Sequence, residues 1–170
     1  KVNSEKTLKK LSSKNFKVIA LRFATAAGLS DNLRLDLVFN DFVANSVLEK
    51  KTILLSNGLS WRPLIHVNDI SKSILWSVIY PLKKNFLAVN IGSEKWNFKI
   101  ISLAKKIARI IPNTKLVIKD DNNFDKRSYR VSFNLFRKIA PKYQPSTDFK
   151  KSVIDLVKFL KTEKKNLKNF

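Results

Sequence analysis

Apolar residues recur along this chain in two alternating rhythms, and each rhythm predicts an element. Residues 1–13 scatter Val2, Leu8 and Leu11 among charges, with Glu5 four positions before Lys9, so the segment reads as the end of a helix. Residues 16–23, FKVIALRF, form an apolar, β-branched run of strand length, and a polar loop over 25–34 with Gly28 and Asp31-Asn32 closes it. Leu35, Val38, Phe42, Val43, Ser46 and Val47 return at helical spacing and predict a helix over 35–50, followed by a short strand over 53–55, a turn at Ser56-Asn57-Gly58 and an extended segment over 63–67. Asn68 or Asp69 is placed to cap the next helix, whose apolar stripe is Ile70, Ile74, Leu75 and Val78 and which must stop before Pro81. A strand over 87–91 ends at Gly92, and a helix over 98–111 carries Ile100, Leu103, Ala104, Ile107, Ala108 and Ile111 on one face until Pro112 stops it. A strand over 116–118, a polar loop over 120–130, a short helix over 134–139 and an extended stretch over 141–145 follow; Phe149, Val153, Leu156, Val157 and Leu160 define a closing helix with a lysine-rich tail. Strands that alternate with helices predict an α/β domain with parallel pairing.

Composition narrows what such a domain can do. The 170 residues are 44% hydrophobic and include twelve Phe, enough for a real core. No cysteine is present, which removes disulfides, thiolate zinc sites and cysteine nucleophiles, and the single histidine, His66, removes motifs that need two; no metal site is expected. Gly28, Gly58 and Gly92 are too few and too scattered for a glycine-rich phosphate loop, so a nucleotide phosphate must be held in another way or by a part of the protein not in this sequence. Methionine is absent and the chain begins with Lys1, from which a piece of a longer chain is expected. Residues 1–17 lack the apolar centre of a leader, and no apolar run approaches the roughly 18–20 residues of a membrane span, so a soluble, cytoplasmic protein without a membrane partner is expected.

Charge raises a further possibility. Lys and Arg number 34 against 13 Asp and Glu, a balance of +21 that would attract nucleic acid through counterion release. The lysine pairs at 9–10, 50–51, 83–84, 105–106, 150–151 and 164–165 are spread over the whole chain, at element ends or on polar helical faces, instead of being gathered on one element. They read as solvated faces, and a nucleic-acid partner is not expected.

Three blocks are more specific than periodicity. LRFATAAGLS from Leu21, RLDLVFNDF from Arg34 and WRPLIHVNDI from Trp61, in this order and with compatible gaps, resemble the extended short-chain dehydrogenase/reductase family, the NAD-dependent epimerase/dehydratases of nucleotide sugars. Asn90-Ile91-Gly92 and the late segment KRSYRV, Lys126 to Val131, with Phe136-Arg137-Lys138-Ile139 fit the same pattern. The resemblance covers essentially the whole chain but only the C-terminal half of the family's length. It implies the C-terminal part of a Rossmann-like doubly wound fold with the smaller substrate-binding subdomain, residues 1–170 lacking the N-terminal dinucleotide-binding part.

The family pattern after its Tyr-x-x-x-Lys pair, Lys-Val-x-x-Glu-x-x-Leu, matches Lys1-Val2-Asn3-Ser4-Glu5-Lys6-Thr7-Leu8. The resemblance therefore implies that Lys1 is the catalytic-helix lysine, which holds the ribose hydroxyls of NAD or NADP and lowers the pKa of a tyrosine, since an adjacent cation favours phenolate. It implies that Phe23, Ala24 and Thr25 border the nicotinamide, with Thr25 also at the sugar, where ligands of α/β sheets bind outside the carboxyl ends of strands. Ala27 departs from the pattern, which commonly has an aromatic before the glycine. Asn40 is either a contact to the nucleotide diphosphate or a polar residue near the exposed face of its helix. Arg62, between Trp61 and Pro63 in an apolar stretch, is an awkward guanidinium unless it meets an anion; the resemblance gives it the pyrophosphate, and the alternative is an ion pair with Asp36 or Asp69. Arg127 is implied as a second phosphate or ribose contact, with a solvated charge cluster as the alternative. His66 reads as a satisfied core histidine and Asp69 as a helix cap. The expected function is the substrate-binding half of an NAD(P)-dependent nucleotide-sugar epimerase or dehydratase, homodimeric when whole and inactive as this piece alone. The alternatives are a basic binding module for RNA or acidic glycan, or a reductase of the same superfamily.

Overall fold

In the computed structural model, which describes residues 1–119 and 127–168 with side chains as far as residue 163, the apolar runs become parallel strands. After helix α1 (Val2–Leu11), β1 (Val18–Phe23) lies in parallel beside β5 (Phe86–Ile91), with Val18 opposite Phe86 and Phe23 opposite Ile91. β2 (Thr25–Ala27) pairs in parallel with β4 (Trp61–His66), and β3 (Lys51–Leu54) with β7 (Lys115–Ile118). β6 (Asn97–Lys99) adds to β4 in the antiparallel sense. The helices between them are α2 (Val38–Leu48), α3 (Val67–Ile79), α4 (Ile100–Ile110), α5 (Asn134–Ile139) and α6 (Phe149–Lys168). Residues 120–126 of the expected polar loop, Lys126 of the late segment and the Lys164-Lys165 side chains lie outside the described residues.

The mixed α/β architecture and its parallel sheets match the expectation, and the differences are local. Residues 25–27 form a strand and not a loop, because the chain exchanges partners at Ala24: that residue still donates its N–H to Ile91 of β5 at 2.9 Å, and Thr25 then pairs with Leu64 of β4. The helix expected from residue 98 starts at 100, since residues 97–99 are drawn into the β4 edge. Pro141–Tyr143, expected to be extended, turns into a single 3-10 turn.

Two apolar clusters support these elements. In the larger, α2, α4 and α6 converge on Phe39, whose ring meets Phe149 edge-on at 5.5 Å and stacks with Trp96 at 6.0 Å. Leu103, Ala104 and Ile107 of α4 enter it at helical spacing. The buried pair Ser46 and Thr52 is satisfied by a 2.7 Å hydroxyl bond and by the Phe42 carbonyl. In the smaller cluster Trp76, Phe133 and Phe136 pack against Val89 and Ile91 of β5.

Of the stripe expected on α3, Ile70 packs partly buried against the smaller cluster, and the other three residues turn outward. Ile74, Leu75, Val78 and Ile79 are exposed, Val78 at 77%, while Asp69, Ser73 and Trp76 are the buried positions. On α1, Val2, Leu8 and Leu11 are exposed as well. β1 is open on one side: in parallel pairing alternate residues serve one neighbour, so Val18, Ala20, Arg22 and Ala24 bond to β5 while Ile19, Leu21 and Phe23 turn their backbone groups to the other edge. Among the described residues no strand pairs there.

Phe39→Ala empties the centre of the larger cluster and is expected to cost about 3–5 kcal/mol. Val78→Ala on the exposed stripe is expected to stay within about 0.5 kcal/mol. Urea midpoints of the two variants check both values.

Candidate functional site

The start of α1 lies near the carboxyl end of β1. Glu5, one turn into α1, receives the Arg22 guanidinium near the end of β1, with one bond, Arg22 Nε to Glu5 Oε2, at 2.9 Å. Arg22 holds the Glu5 carboxyl below its ordinary range. At the other end of α1, Lys9 Nζ lies 6.0 Å from the ring of Phe86, which opens β5. The helix thus runs antiparallel to β1, which brings Lys1 to the carboxyl end of that strand, toward Phe23, Ala24 and Thr25. Phe23 is partly exposed and Ala24 is buried. A Cβ on Gly92 would come within 2.5 Å of the Phe133 ring, so this strand end has room only for glycine.

The loop after β2 is fixed by polar anchors. Gly28 has φ +97°, and a Cβ there would stand 2.2 Å from His66 Nε2, so both the backbone and the space demand glycine. Asn40, 3% exposed, accepts the Gly28 N–H at 2.9 Å through Oδ1 and donates Nδ2 to the Arg34 carbonyl at 3.0 Å. It does not sit near the exposed face of its helix; both ends of its amide hold the 28–34 loop. His66, 7% exposed, is the satisfied core residue its sequence context suggests, and it also caps α3 by accepting the Asn68 N–H on Nδ1 at 3.2 Å. That corrects the expected cap. Asp69 instead accepts the N–H groups of Ser146 and Thr147, each at 3.2 Å, with Lys72 Nζ at 3.5 Å, and so ties α3 to the segment that precedes α6.

Arg62 and Arg127 are brought together across 65 residues, because Arg62 Nη1 donates to the Arg127 carbonyl and also to the Trp61 carbonyl at 2.9 Å. The ion-pair partners proposed for Arg62 are engaged elsewhere, Asp69 as above and Asp36 in a two-pronged pair with Arg34 at 2.7 and 2.6 Å, which holds the Asp36 carboxyl below its usual range. Around Arg62 stand Tyr129 and Lys99, which the sequence did not single out, with Trp61 and Arg130. Tyr129 lies under its guanidinium at 5.6 Å, and the Trp61 ring lies near Arg130 at 4.5 Å and Lys99 at 5.7 Å. Tyr129 and Arg130 belong to the late segment, but nothing in their local pattern shows that the chain folds them back onto β4. Ser128 Oγ accepts the Trp61 N–H at 3.1 Å and fixes that return.

Arg62 also lines a cavity of about 390 Å3 with Asp41, Phe42, Ile53, Ser60 and Ile100. Asp41 lay inside one of the motif blocks without being singled out; burial raises its carboxyl pKa, against a bond from Asn45 Nδ2 at 2.7 Å that lowers it. A larger groove of about 480 Å3, lined by Val47, Ile110, Pro112 and Val157 among others, includes none of the candidate residues. Among the described residues there is no cluster of three or more His, Asp or Glu able to hold a metal, and no helix long and apolar enough to cross a membrane.

Residues 1–92 match the NAD dependent epimerase/dehydratase family. Among solved structures, the fold is similar to that of the UDP-N-acetylglucosamine 4-epimerase of Methanobrevibacter ruminantium M1, at 20% identity and a TM-score of 0.77, over 95% of this chain and 52% of that one. It is also similar to the UDP-Glc/GlcNAc 4-epimerase of Campylobacter jejuni, at 18% identity and a TM-score of 0.70, over 96% and 54%. A third is the ADP-L-glycero-D-manno-heptose-6-epimerase of Helicobacter pylori, at 10% and 0.71, over 94% and 48%. The chain spans about half the length of these proteins.

His66 gives the site region a pH dependence. Burial lowers its pKa, with Asp69 and Asp155 opposing and Lys72 reinforcing the shift, so the unfolded chain takes up the proton first as pH falls. The His66 contribution is therefore complete above about pH 6.5 and declines below it. Urea unfolding at pH 7.5 and 5.5 should show a loss for the wild type that is smaller in His66→Gln.

Proposed function

The chain belongs to the NAD-dependent epimerase/dehydratase family, and from that membership we propose that it is the substrate-binding half of a cytoplasmic NAD(P)-dependent nucleotide-sugar epimerase or dehydratase, gripping the nucleotide diphosphate of the sugar. The observation that carries this reading is Arg62: a guanidinium held by two backbone carbonyls at the wall of a 390 Å3 cavity, its fork oriented before any ligand arrives. Planar guanidinium forks match phosphate oxygens, and a cavity of this size suits a small ligand. Arg127 is fixed beside it through its own carbonyl and supplies a second phosphate or ribose contact. Asn40 acts at one remove, by holding the loop that borders the sugar.

The residues present fit one end of the dinucleotide only. Each glycine already serves a steric purpose, Gly28 under His66, Gly58 against Ile101 and Gly92 under Phe133, and none opens a phosphate-binding helix. Lys1 at the ribose, and Phe23, Ala24 and Thr25 at the nicotinamide, would hold that end of the cofactor. When bound, the cofactor takes up and returns a hydride of the sugar ring. The chain's own contribution is to orient the sugar by its diphosphate and, through Lys1, to favour the ionised form of the tyrosine that the family places four residues earlier.

The open edge of β1 and the exposed apolar side of α3 support a nucleotide-binding α/β half packed against them, since parallel sheets occur almost only with both faces covered and with their strands paired. The exposed Val2, Leu8 and Leu11 of α1 support pairing of two whole molecules through that helix.

Replacing Arg62 by Leu removes a charge-assisted contact and is expected to weaken binding of a nucleoside diphosphate sugar about tenfold to a hundredfold, read by titration calorimetry. Wild-type affinity should change little between 50 and 200 mM salt; a loss of orders of magnitude would instead identify phosphate tracking by many lysines, the behaviour of an RNA-binding module. In a spectrophotometric assay the chain alone should produce no NADH from any sugar nucleotide, and measurable NADH would overturn its assignment as a half.

A further inference from the structure

The cavity that contains Arg62 also contains a carboxylate with acceptor capacity to spare. Of its two acidic lining residues, Asp36 has both oxygens taken by the Arg34 guanidinium. Asp41 has one hydrogen bond among the described residues, from the neutral Asn45 amide to Oδ1, and its half-buried carboxyl is raised in pKa by that burial. A negative group in the wall of a site for an anion is costly unless it meets a part of the ligand that carries no negative charge. In a nucleoside diphosphate sugar the uncharged, flat part is the base, and Phe42, Ile53 and Ile100 give the same cavity the apolar walls such a ring needs.

The geometry points to Asp41 as the residue that reads the base: its carboxylate accepts N–H donors from an amino-bearing edge, so the site takes guanine, cytosine or adenine nucleotides in preference to uracil. This rests on the reading of Arg62 as the diphosphate grip and extends it to the other end of the ligand. Guanine offers adjacent N1–H and 2-amino donors, cytosine its 4-amino group and adenine its 6-amino group; uracil turns carbonyl oxygens outward on either side of its N3–H, and these would face the carboxylate. Acidic side chains that accept from base amino groups are an established mode of base discrimination. A site built around a half-buried acceptor also discriminates against analogues that cannot satisfy it. The solved 4-epimerases reported for comparison act on UDP sugars, and at 18–20% identity the likeness to them is one of fold alone.

The test is titration calorimetry of the full chain with GDP, CDP, ADP and UDP, for the wild type, Asp41→Asn and Arg62→Leu. At least one of GDP, CDP and ADP should bind the wild type about 5- to 150-fold more tightly than UDP, and the tightest names the base. Asp41→Asn should reduce that ratio to below about threefold, chiefly by weakening the amino-bearing ligand, while Arg62→Leu should weaken all four together. Equal or tighter UDP binding by the wild type, or an unchanged ratio in Asp41→Asn, overturns the role of Asp41 and leaves the diphosphate grip standing if Arg62→Leu still weakens every ligand. Failure of all four nucleotides to bind the wild type overturns both.

Discussion

Because β1, β2 and β3 each take a parallel partner far along the chain, every one of these pairings has to be closed by a crossover, and the crossovers place the helices and the strand ends together. The stretch from Val18 to Ala27 shows the consequence. It is nearly continuous in sequence but serves two sheets, handing over from β5 to β4 at Ala24. In α/β folds ligands bind outside the carboxyl ends of strands. Phe23, Ala24 and Thr25 stand at the carboxyl end of β1, and the antiparallel run of α1, marked by the Arg22–Glu5 pair and by Lys9 near Phe86, brings Lys1 toward them.

Most of the polar side chains that look chemical in this region are occupied in building it. Asn40 spends both ends of its amide on the loop that follows β2, His66 gives Nδ1 to the cap of α3, and Asp69 receives two backbone N–H groups from the far side of the molecule. Such bonds are worth roughly a kcal/mol each when made and more when broken, since the partner is left buried and unpaired. Arg62 is oriented by the Trp61 and Arg127 carbonyls, and among the described residues Asp41 accepts one hydrogen bond, at Oδ1.

The surface has two characters. Its lysines are dispersed, and several lie over aromatic rings: Lys106 is 4.4 Å from the ring of Phe149 and Lys99 is 5.7 Å from that of Trp61, so part of the positive charge covers apolar surface. In contrast, α3 leaves Ile74, Leu75 and Val78 to solvent, and among the described residues no strand pairs with the outer edge of β1. Contiguous apolar surface beside an open strand is the usual mark of a face that something else covers.

Local pattern was sufficient for the elements. Residues 16–23 are apolar and β-branched and became β1, the i, i+3, i+4 spacing from Ile100 became α4, and Pro81 and Pro112 ended helices as their missing N–H requires. The motif blocks likewise named the family and put Arg62 and Arg127 on one page, since short-range residue order survives in a sequence. Facing directions were not legible. The stripe Ile70, Ile74, Leu75, Val78 has the period of a buried face, but period records only that residues share a side, and which side meets the core depends on what packs there: here Ile70 packs against the smaller cluster, while Trp76 docks against Phe136 and leaves Ile74, Leu75 and Val78 outward. For the same reason Asp69 could not be told from a helix cap, because its partners lie 77 and 78 residues away. Asp41 was hidden among helical residues until folding set it beside Arg62 in one cavity. Sequence determined the rhythm, the breakers and the residue types available; the tertiary structure alone decided which of those residues meet, because contacts between distant segments follow from packing and leave no local trace.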